Sequence, residues 1–202
     1  KVGFLFMSSS KVIIPPADLP ITLNGAKQFL QVSGNDEDAL INFFIEAATS
    51  ECEQKMQRAL MPRTVRDTMA SWDNAYMHRW CPVAMLTHIK YYNTDNVLTE
   101  LATDQYWSYI HEEYGLDAIK LRTGVTFPEV YDRPDAIQIT YVAGYGTAGT
   151  IPYEILAAIQ LKTRHKYDFR TDEAAGNRQS PLSIASDRLL LPYINYMYTT
   201  GL

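Results

Sequence analysis

The sequence has few of the residues from which metal centres and redox sites are built. Its 202 residues include two cysteines and four histidines. Cys52 and Cys81 form no C-x-x-C pair. His78 and Cys81 have H-x-x-C spacing, but neither His88 nor Cys52 completes a zinc-binding pattern. We therefore expect no metal site and two inert thiols in a reducing compartment.

Long apolar runs and excess positive charge are also missing. No segment is long enough to cross a bilayer, and the apolar start KVGFLFM breaks into three serines, which makes it too short for a signal peptide. The formal net charge is −5, whereas phosphate binding depends on clustered lysine and arginine. We expect a protein made in the cytosol, with no membrane contact and no general attraction to nucleic acid.

No arrangement of residues indicates catalysis. Glu112 and Glu113 are adjacent, but adjacent carboxylates without a known separation in space do not indicate a glycosidase pair. The serines at positions 8 to 10, in the stretch MSSS, have no lysine or histidine partner at a diagnostic spacing. We predict that the protein is not an enzyme and that it binds no cofactor.

Apolar and aromatic residues, by contrast, are abundant. They make up 47% of the chain, which includes 14 tyrosines, 7 phenylalanines and 3 tryptophans. One medium domain with appended arms could bury a core from this material. Tyrosine is also favoured at protein interfaces, so the surplus is compatible with either a tyrosine-rich core or an assembly surface.

Two helices are predicted from apolar periodicity, and a third, shorter one begins at Thr22, which can cap it. The long helix runs from about 36 to 61, with Asn35 or Asp36 as its cap and no glycine or proline before Pro62. The other runs from about 152 to 169, with Pro152 in its first turn. Basic residues crowd the end of this second helix, where they complement its dipole.

Between these helices the period changes to that of strands. Short runs rich in β-branched and aromatic residues lie at 64–69, 86–92, 106–110, 118–121 and 136–142. Turn sequences separate them, at 93–96, 114–117 and 133–135. The predicted fold class is α+β, in which a helical bundle carries an antiparallel β insertion at about 64–143 and has extended terminal arms. We divide the chain into an N-terminal arm (1–20), a main domain (21–175) and a linker with a C-terminal tail (176–202).

The stretch AGYGTAG contains a literal G-x-G-x-x-G at Gly144, Gly146 and Gly149. A dinucleotide site also needs a second parallel strand that ends in an acidic residue about 20 residues on. Here Asp168 lies in the same helix pattern, and no strand is predicted to follow. No Lys-Ser or Lys-Thr pair follows the glycines either. We interpret the three glycines, with Pro152, as a structural turn in which glycine permits positive φ as the chain leaves the sheet.

The order of the segments resembles the head–tail connector proteins of long-tailed phages and gene transfer agents, also called adaptor or head-completion proteins. The resemblance covers about residues 15 to 195. It rests on the ITL…AK.FL opening, the helix start Glu37-Asp38-Ala39-Leu40-Ile41, and the junction from Tyr141 to Pro152. The N-terminal arm is longer and more apolar, and the tail more aromatic, than this family implies.

The resemblance implies a structural virion protein. Such proteins form a ring, commonly twelvefold, below the portal of a filled capsid and thus lie in the virion neck after assembly in the host cytoplasm. The ring extends the DNA channel, and DNA passes without sequence-specific binding. The implied partners are other copies of the chain, the portal protein and a stopper or tail-completion protein. We expect the ring to form through the long helix and the aromatic β insertion.

The C-terminal tail is the predicted portal-binding segment, because it is too apolar for a free end. The alternative is that it folds back on its own domain. Two other functions remain open at this point: a nucleotide-binding enzyme that uses the glycine loop, and a small nucleic-acid-binding module that uses the basic end of the 152–170 helix, with Lys162, Arg164, His165, Lys166 and Arg170. The predicted portal-binding residues are Leu189, Leu190, Leu191, Tyr193, Ile194, Tyr196, Met197 and Tyr198.

Overall fold

The computed structural model describes residues 9–72, 80–110, 117–169 and 181–195. The chain forms two compact units. Unit 1 comprises residues 1–15 and 62–144, and unit 2 comprises residues 16–61 and 145–202. Four helices and an antiparallel five-stranded sheet confirm the predicted α+β class. Among the described residues, no helix has both the length and the apolar character needed to span a membrane.

Unit 1 is built on antiparallel strands. Its five-stranded sheet has the order β1-β2-β7-β3-β4, and β5 and β6 form a separate two-stranded sheet. All five predicted strand runs lie in strands. The strands are β1 (Ser9–Ile14), β2 (Arg63–Met69), β3 (Val83–Tyr92), β4 (Leu98–Glu100), β5 (Tyr106–Ile110), β6 (Asp117–Leu121) and β7 (Ile137–Ala143).

Two strands were not predicted, and both lie at the edges of the five-stranded sheet. β1 belongs to the segment interpreted as an arm, and it pairs with β2 along one side. β4 has three residues and is placed by the predicted turn at 93–96, where the Asn93 side chain accepts hydrogen bonds from the amides of Asp95 and Val97. Neither strand has enough buried positions to produce a clear alternating pattern.

A buried polar pair lies inside the sheet of unit 1. Tyr141 in β7 and Asp67 in β2 are diagonal neighbours, since Val65 is paired with Tyr141 and Asp67 with Ile139. The Tyr141 hydroxyl donates to Oδ2 of Asp67 at 3.0 Å, and only 2% of Asp67 is exposed. Burial, together with the nearby carboxylate, raises the pKa of Tyr141, so its hydroxyl keeps the proton that it donates.

Unit 2 is helical. Its helices are α1 (Leu23–Leu30), α2 (Asp38–Met56), α3 (Tyr153–Asp168) and α4 (Pro181–Leu190). Thr22 caps α1 as predicted, because its hydroxyl oxygen accepts the Gly25 amide hydrogen at 3.1 Å. The core of the unit is apolar and contains residues from all four helices, including Ala26, Ile41, Ile45, Cys52, Ile155, Ile159 and Leu190.

The predicted cap and the predicted end of α2 were wrong. The helix begins after Glu37, which gives no side-chain cap, and the Asn35 side chain instead accepts a hydrogen bond from Lys27. The helix ends at Met56 because Gln57 takes a left-handed conformation, with φ of 53°. The buried carboxylate of Glu53 then accepts the Leu60 amide hydrogen at 2.8 Å, which closes the turn well before Pro62.

Candidate assembly surfaces

The C-terminal segment folds back on unit 2 as far as the structure describes it. Leu190 is completely buried in the core, and Leu189 and Tyr193 pack against that core. Leu191 is 49% exposed, and Ile194 is half-buried. The predicted portal-binding residues Tyr196, Met197 and Tyr198 lie outside the described residues.

Hydrogen bonds hold the described part of this segment to its own unit. Nε of Arg58 donates to the Tyr193 carbonyl at 2.7 Å, and the Asn195 amide donates to the Met56 carbonyl at 2.9 Å. The Tyr193 hydroxyl donates to Glu154 at 2.9 Å. Leu189, Leu190 and Tyr193 therefore match the alternative in which the tail folds back on its own domain, because a core that lacks these side chains would be incomplete.

A chain of alternating charges connects α2, α3 and α4. Lys162 in α3, with 4% of its side chain exposed, contacts Glu51 of α2 at 2.6 Å and Asp187 of α4 at 3.0 Å. Lys166 pairs with Glu51 at 3.0 Å, and Lys55 pairs with Asp187 at 2.6 Å. We call these five residues the lysine–carboxylate cluster. It neutralises Lys162, which would otherwise be a buried unpaired charge.

Acid should weaken this cluster. Burial alone would raise the pKa of Glu51 and of Asp187, but hydrogen bonds from the lysines outweigh burial and hold both pKa values below their ordinary range. Because the folded-state pKa is the lower one, the stabilisation is complete above the unfolded-state pKa of about 4 and is lost as pH falls through the folded-state value.

We therefore predict that Lys162→Met loses less stability on acidification than the wild type does. Denaturant midpoints measured between pH 3 and pH 7 test this, and Lys120→Met in unit 1, where Lys120 is exposed, is the matched control. Equal pH profiles for the wild type and Lys162→Met would show that the cluster does not contribute to acid sensitivity.

The lysine–carboxylate cluster includes two of the cations at the basic end of α3. Lys162 and Lys166 are paired with Glu51, and Arg164 is paired with Asp168 at 2.8 Å. The ring of His165 lies 4.9 Å from that of Phe169, and Arg170 lies outside the described residues. Because three of these cations are already neutralised by carboxylates, a nucleic-acid module built on this helix end is disfavoured.

Four amides of the glycine loop donate hydrogen bonds within the protein. The amide of Gly144 donates to the Pro82 carbonyl at 2.8 Å, and that of Tyr145 donates to the Leu60 carbonyl at 3.0 Å. The amides of Thr147 and Thr150 are bonded within the loop. A phosphate-binding loop instead points its amides at the ligand. This geometry disfavours a nucleotide site, and the absence of NAD and ATP binding remains a prediction that calorimetry can test.

The three glycines differ in conformation. Gly144 and Gly146 have φ of 127° and 100°, values that side chains rarely adopt. Gly149 is not in this region, so its predicted positive φ was wrong. It lies in the 3-10 turn Ala148–Thr150, where negative φ is the rule. Pro152 directly precedes α3, and its carbonyl accepts the Leu156 amide hydrogen.

We predict that Gly146→Val lowers the free energy of unfolding by about 1–3 kcal/mol, because a β-branched residue is strained at positive φ. Gly149→Val is the matched control. A side chain there would meet only Thr147, at an ordinary 3.8 Å. Chemical denaturation of both variants tests the difference, and equal losses at the two positions would contradict it.

Unit 2 exposes two apolar helix faces. Leu40, Phe43, Phe44 and Ala47 follow helical spacing along α2, and we call these four residues the α2 outer stripe. Phe43 is 61% exposed, and the other three are half-buried. Ile184, Ala185 and Arg188 of α4 and the following Leu191 are all exposed; we call them the α4 outer face. Unit 1 has its own exposed residues on β1 and β5, namely Val12, Ile13, Ile14, Trp107 and Tyr109.

The structure thus brings together residues that the sequence interpretation had treated separately. Lys162 had been interpreted as one of the basic residues that complement the dipole at the helix end, yet it shares the buried spacing of Ile155, Ile159 and Thr163. That spacing was the signal that could have identified it as a core cation. Among the described residues, no group of His, Cys, Asp or Glu could hold a metal ion.

Comparison with known proteins supports the resemblance seen in the sequence. Residues 20–104 match the family profile described as "Phage gp6-like head-tail connector protein". No curated protein sequence matches the chain.

Three solved structures share the fold over almost the whole chain. Chains from the neck of an empty GTA particle computed with C6 symmetry and from the virion of a native gene transfer agent particle are each 19% identical. Their TM-scores are 0.74 and 0.72, with 92% of this chain and 95% and 94% of theirs covered. A chain from the neck of a native GTA particle computed with C12 symmetry is 20% identical, with a TM-score of 0.69 over 93% of this chain and 94% of that one.

Proposed function

We propose that this chain is a structural connector protein of a virion neck, which forms a ring below the portal and joins the DNA-filled capsid to the tail. The observation that carries the proposal is the fold shared with neck chains over 92% of the sequence. The connector-family match at residues 20–104 supports it independently, because that match depends on sequence.

The proposed ring order is twelve, with a channel that extends the DNA path from the portal. Relatives in necks computed with C6 and C12 symmetry support a cyclic assembly. A cyclic assembly requires a heterologous contact, in which two different surfaces of each copy meet. The chain offers several exposed apolar surfaces in each unit, and the proposed role requires no catalysed reaction.

DNA is proposed to pass through the ring without sequence-specific contact. The chain has a net charge of −5, and the lysines at the end of α3 are paired with carboxylates. Weak contact suits a channel, because strong phosphate binding would hold the DNA in place. The proposed neighbours along the axis are the portal protein on one side and a stopper or tail-completion protein on the other.

The portal-binding proposal is now confined to the part of the tail that does not fill the core of unit 2. Leu191 is exposed, and Ile194 is half-buried. Ile194, Tyr196, Met197 and Tyr198 remain the proposed portal contact, whereas Leu191 is assigned to the α4 outer face. Leu189, Leu190 and Tyr193 are proposed instead to anchor the segment to its own unit.

Electron microscopy of the purified chain mixed with purified portal tests this function. We expect a ring of this protein on the portal axis. Sizing of the protein alone shows whether the ring exists before docking. A chain that stays monomeric and does not associate with portal at micromolar concentrations would contradict the proposed function.

A further inference from the structure

We infer that the α2 outer stripe of one copy binds the α4 outer face of the next copy, so that unit 2 builds the ring by head-to-tail contact. This inference rests on the proposed ring and names the two surfaces that would form it. Both surfaces lie in unit 2, and neither is used by the core of that unit.

The first observation is that α2 has two apolar stripes where a packed surface helix needs one. Its buried stripe contains Ile41, Ile45, Ala48 and Cys52. At 3.6 residues per turn, the outer stripe is centred about 120° around the helix from the buried one. Phe43 contacts Phe44, with ring centroids 5.9 Å apart, and 61% of Phe43 is still exposed. A stripe of this kind is characteristic of an interaction site.

The second observation is that α4 also presents an outward apolar face. Ser186 and Leu190 are completely buried, and the outer face lies on the opposite side of the helix from them. Ile184 and Leu191 are 39% and 49% exposed and are two turns apart, with the exposed Arg188 between them. An apolar strip interrupted by one cation can bind an apolar strip beside one anion.

The third observation is that α2 supplies such an anion. Glu46 is exposed one turn after Phe43. In the part of the chain that the structure describes, neither Glu46 nor Arg188 forms an ion pair, although most of the charged residues around α2, α3 and α4 do. Each is therefore available to a partner of opposite charge, and such pairs orient one surface on another.

The heterologous character of this contact makes it compatible with a ring. The two faces differ, so each copy can use both at once, and the contact repeats around an axis. A contact between two α2 outer stripes would be self-complementary and would stop at a dimer. The second copy of this chain is therefore the occupant that the two faces favour.

Substitutions test the apolar part of the contact. Phe43→Asp should lower the association constant for ring assembly on the order of 30-fold, as expected for a truncated anchor residue. Tyr153→Asp is the matched control, because Tyr153 is exposed at the start of α3 and belongs to neither face. Circular dichroism and melting temperature should show that both variants are folded. Normal rings from a folded Phe43→Asp variant would overturn the inference.

A charge exchange tests the register of the two faces. Glu46→Arg and Arg188→Glu should each weaken assembly about fivefold or more, and the double exchange should restore it, because the pair is re-formed with reversed polarity. Single variants that assemble normally, or a double variant no better than the singles, would overturn the pairing.

Crosslinking tests the head-to-tail geometry directly. A variant with both Ala47→Cys and Ala185→Cys, treated with a short bismaleimide on assembled rings, should give a ladder of covalent oligomers. Native Cys52 and Cys81 are buried and should not react. Each single variant should stay uncrosslinked. Dimers from Ala47→Cys alone would indicate α2–α2 contact and contradict the inference, as would rings without any ladder. A wild-type chain that forms no ring with portal would contradict the proposed function itself.

Discussion

A chain that ends after Arg188 should lose the native structure of unit 2, whereas a chain that ends after Asn195 should keep it. The first truncation removes Leu190, which is completely buried, and Tyr193, whose backbone and hydroxyl form hydrogen bonds with Arg58 and Glu154. The second truncation keeps these contacts and the bond from Asn195 to Met56. The two chains differ by seven residues, so the comparison isolates the part of the tail that completes the core.

Truncation after Arg188 should lower the free energy of unfolding by more than Leu190→Ala does. The substitution alone should lower it by about 2–5 kcal/mol. That is a large fraction of the stability of a typical domain. Chemical denaturation followed by circular dichroism measures it, and Leu191→Ala is the matched control at an exposed leucine of the same segment. An Arg188-terminated chain as stable as the full-length protein would contradict the packing of this segment.

The same pair of truncations separates folding from docking. If the residues after Asn195 bind portal, the chain that ends there should stay folded but associate more weakly with portal than the full-length protein. Unchanged association would restrict the portal contact to other residues.

Tyr141→Phe should destabilise unit 1 by about 1.5–3 kcal/mol, the range for a hydrogen bond to a charged group. The substitution preserves the aromatic ring and removes one oxygen, so packing is little changed. What it removes is the donor at 3.0 Å from the buried Asp67. The free-energy cost arises because the Asp67 carboxylate is shielded from water in the folded protein, and the substitution also removes the Tyr141 hydroxyl that donates to it.

Thermal and urea denaturation of Tyr141→Phe measure this loss, and Tyr131→Phe is the control, because Tyr131 is 43% exposed. A double variant with Asp67→Asn should be less destabilised than the two single variants combined, since both changes act on one interaction. Strict additivity would indicate that the hydrogen bond contributes nothing.

The local sequence pattern was sufficient to predict which segments of this protein form helices and which form strands. The change from helical to alternating spacing at residue 64 predicted the sheet, and Thr22 predicted the start of α1. These features depend on neighbours within a few residues. The end of α2 could not be predicted in the same way, because Gln57 adopts a left-handed conformation for which glycine or asparagine is the usual signal. α1 ends in the same manner, at Gln31.

Contacts between residues far apart in the chain were the main feature that the sequence pattern did not predict. Asp67 and Tyr141 are 74 positions apart, and an aspartate in a strand is ordinarily interpreted as a surface residue. In the C-terminal tail, by contrast, burial was evident from the sequence but the surface that buries it was not. Its apolar residues indicated burial, but composition alone does not distinguish a partner's surface from the chain's own core. Leu190 and Tyr193 pack in the latter.

The place where the chain leaves and re-enters unit 2 has a consequence for how the protein folds. Leu60 and Tyr145 are joined by a backbone hydrogen bond of 3.0 Å, although roughly 80 residues of unit 1 lie between them. Inside unit 1, Arg63 and Ala143 are likewise paired across β2 and β7. If the sheet forms first, the long loop between Leu60 and Tyr145 is effectively reduced to a few residues before the helices of unit 2 assemble. At about 0.6 kcal/mol for each halving of loop length, the saving in chain entropy is about 2–3 kcal/mol. Formation of unit 1 thereby lowers the entropic cost of closing unit 2 through the connectivity of the chain.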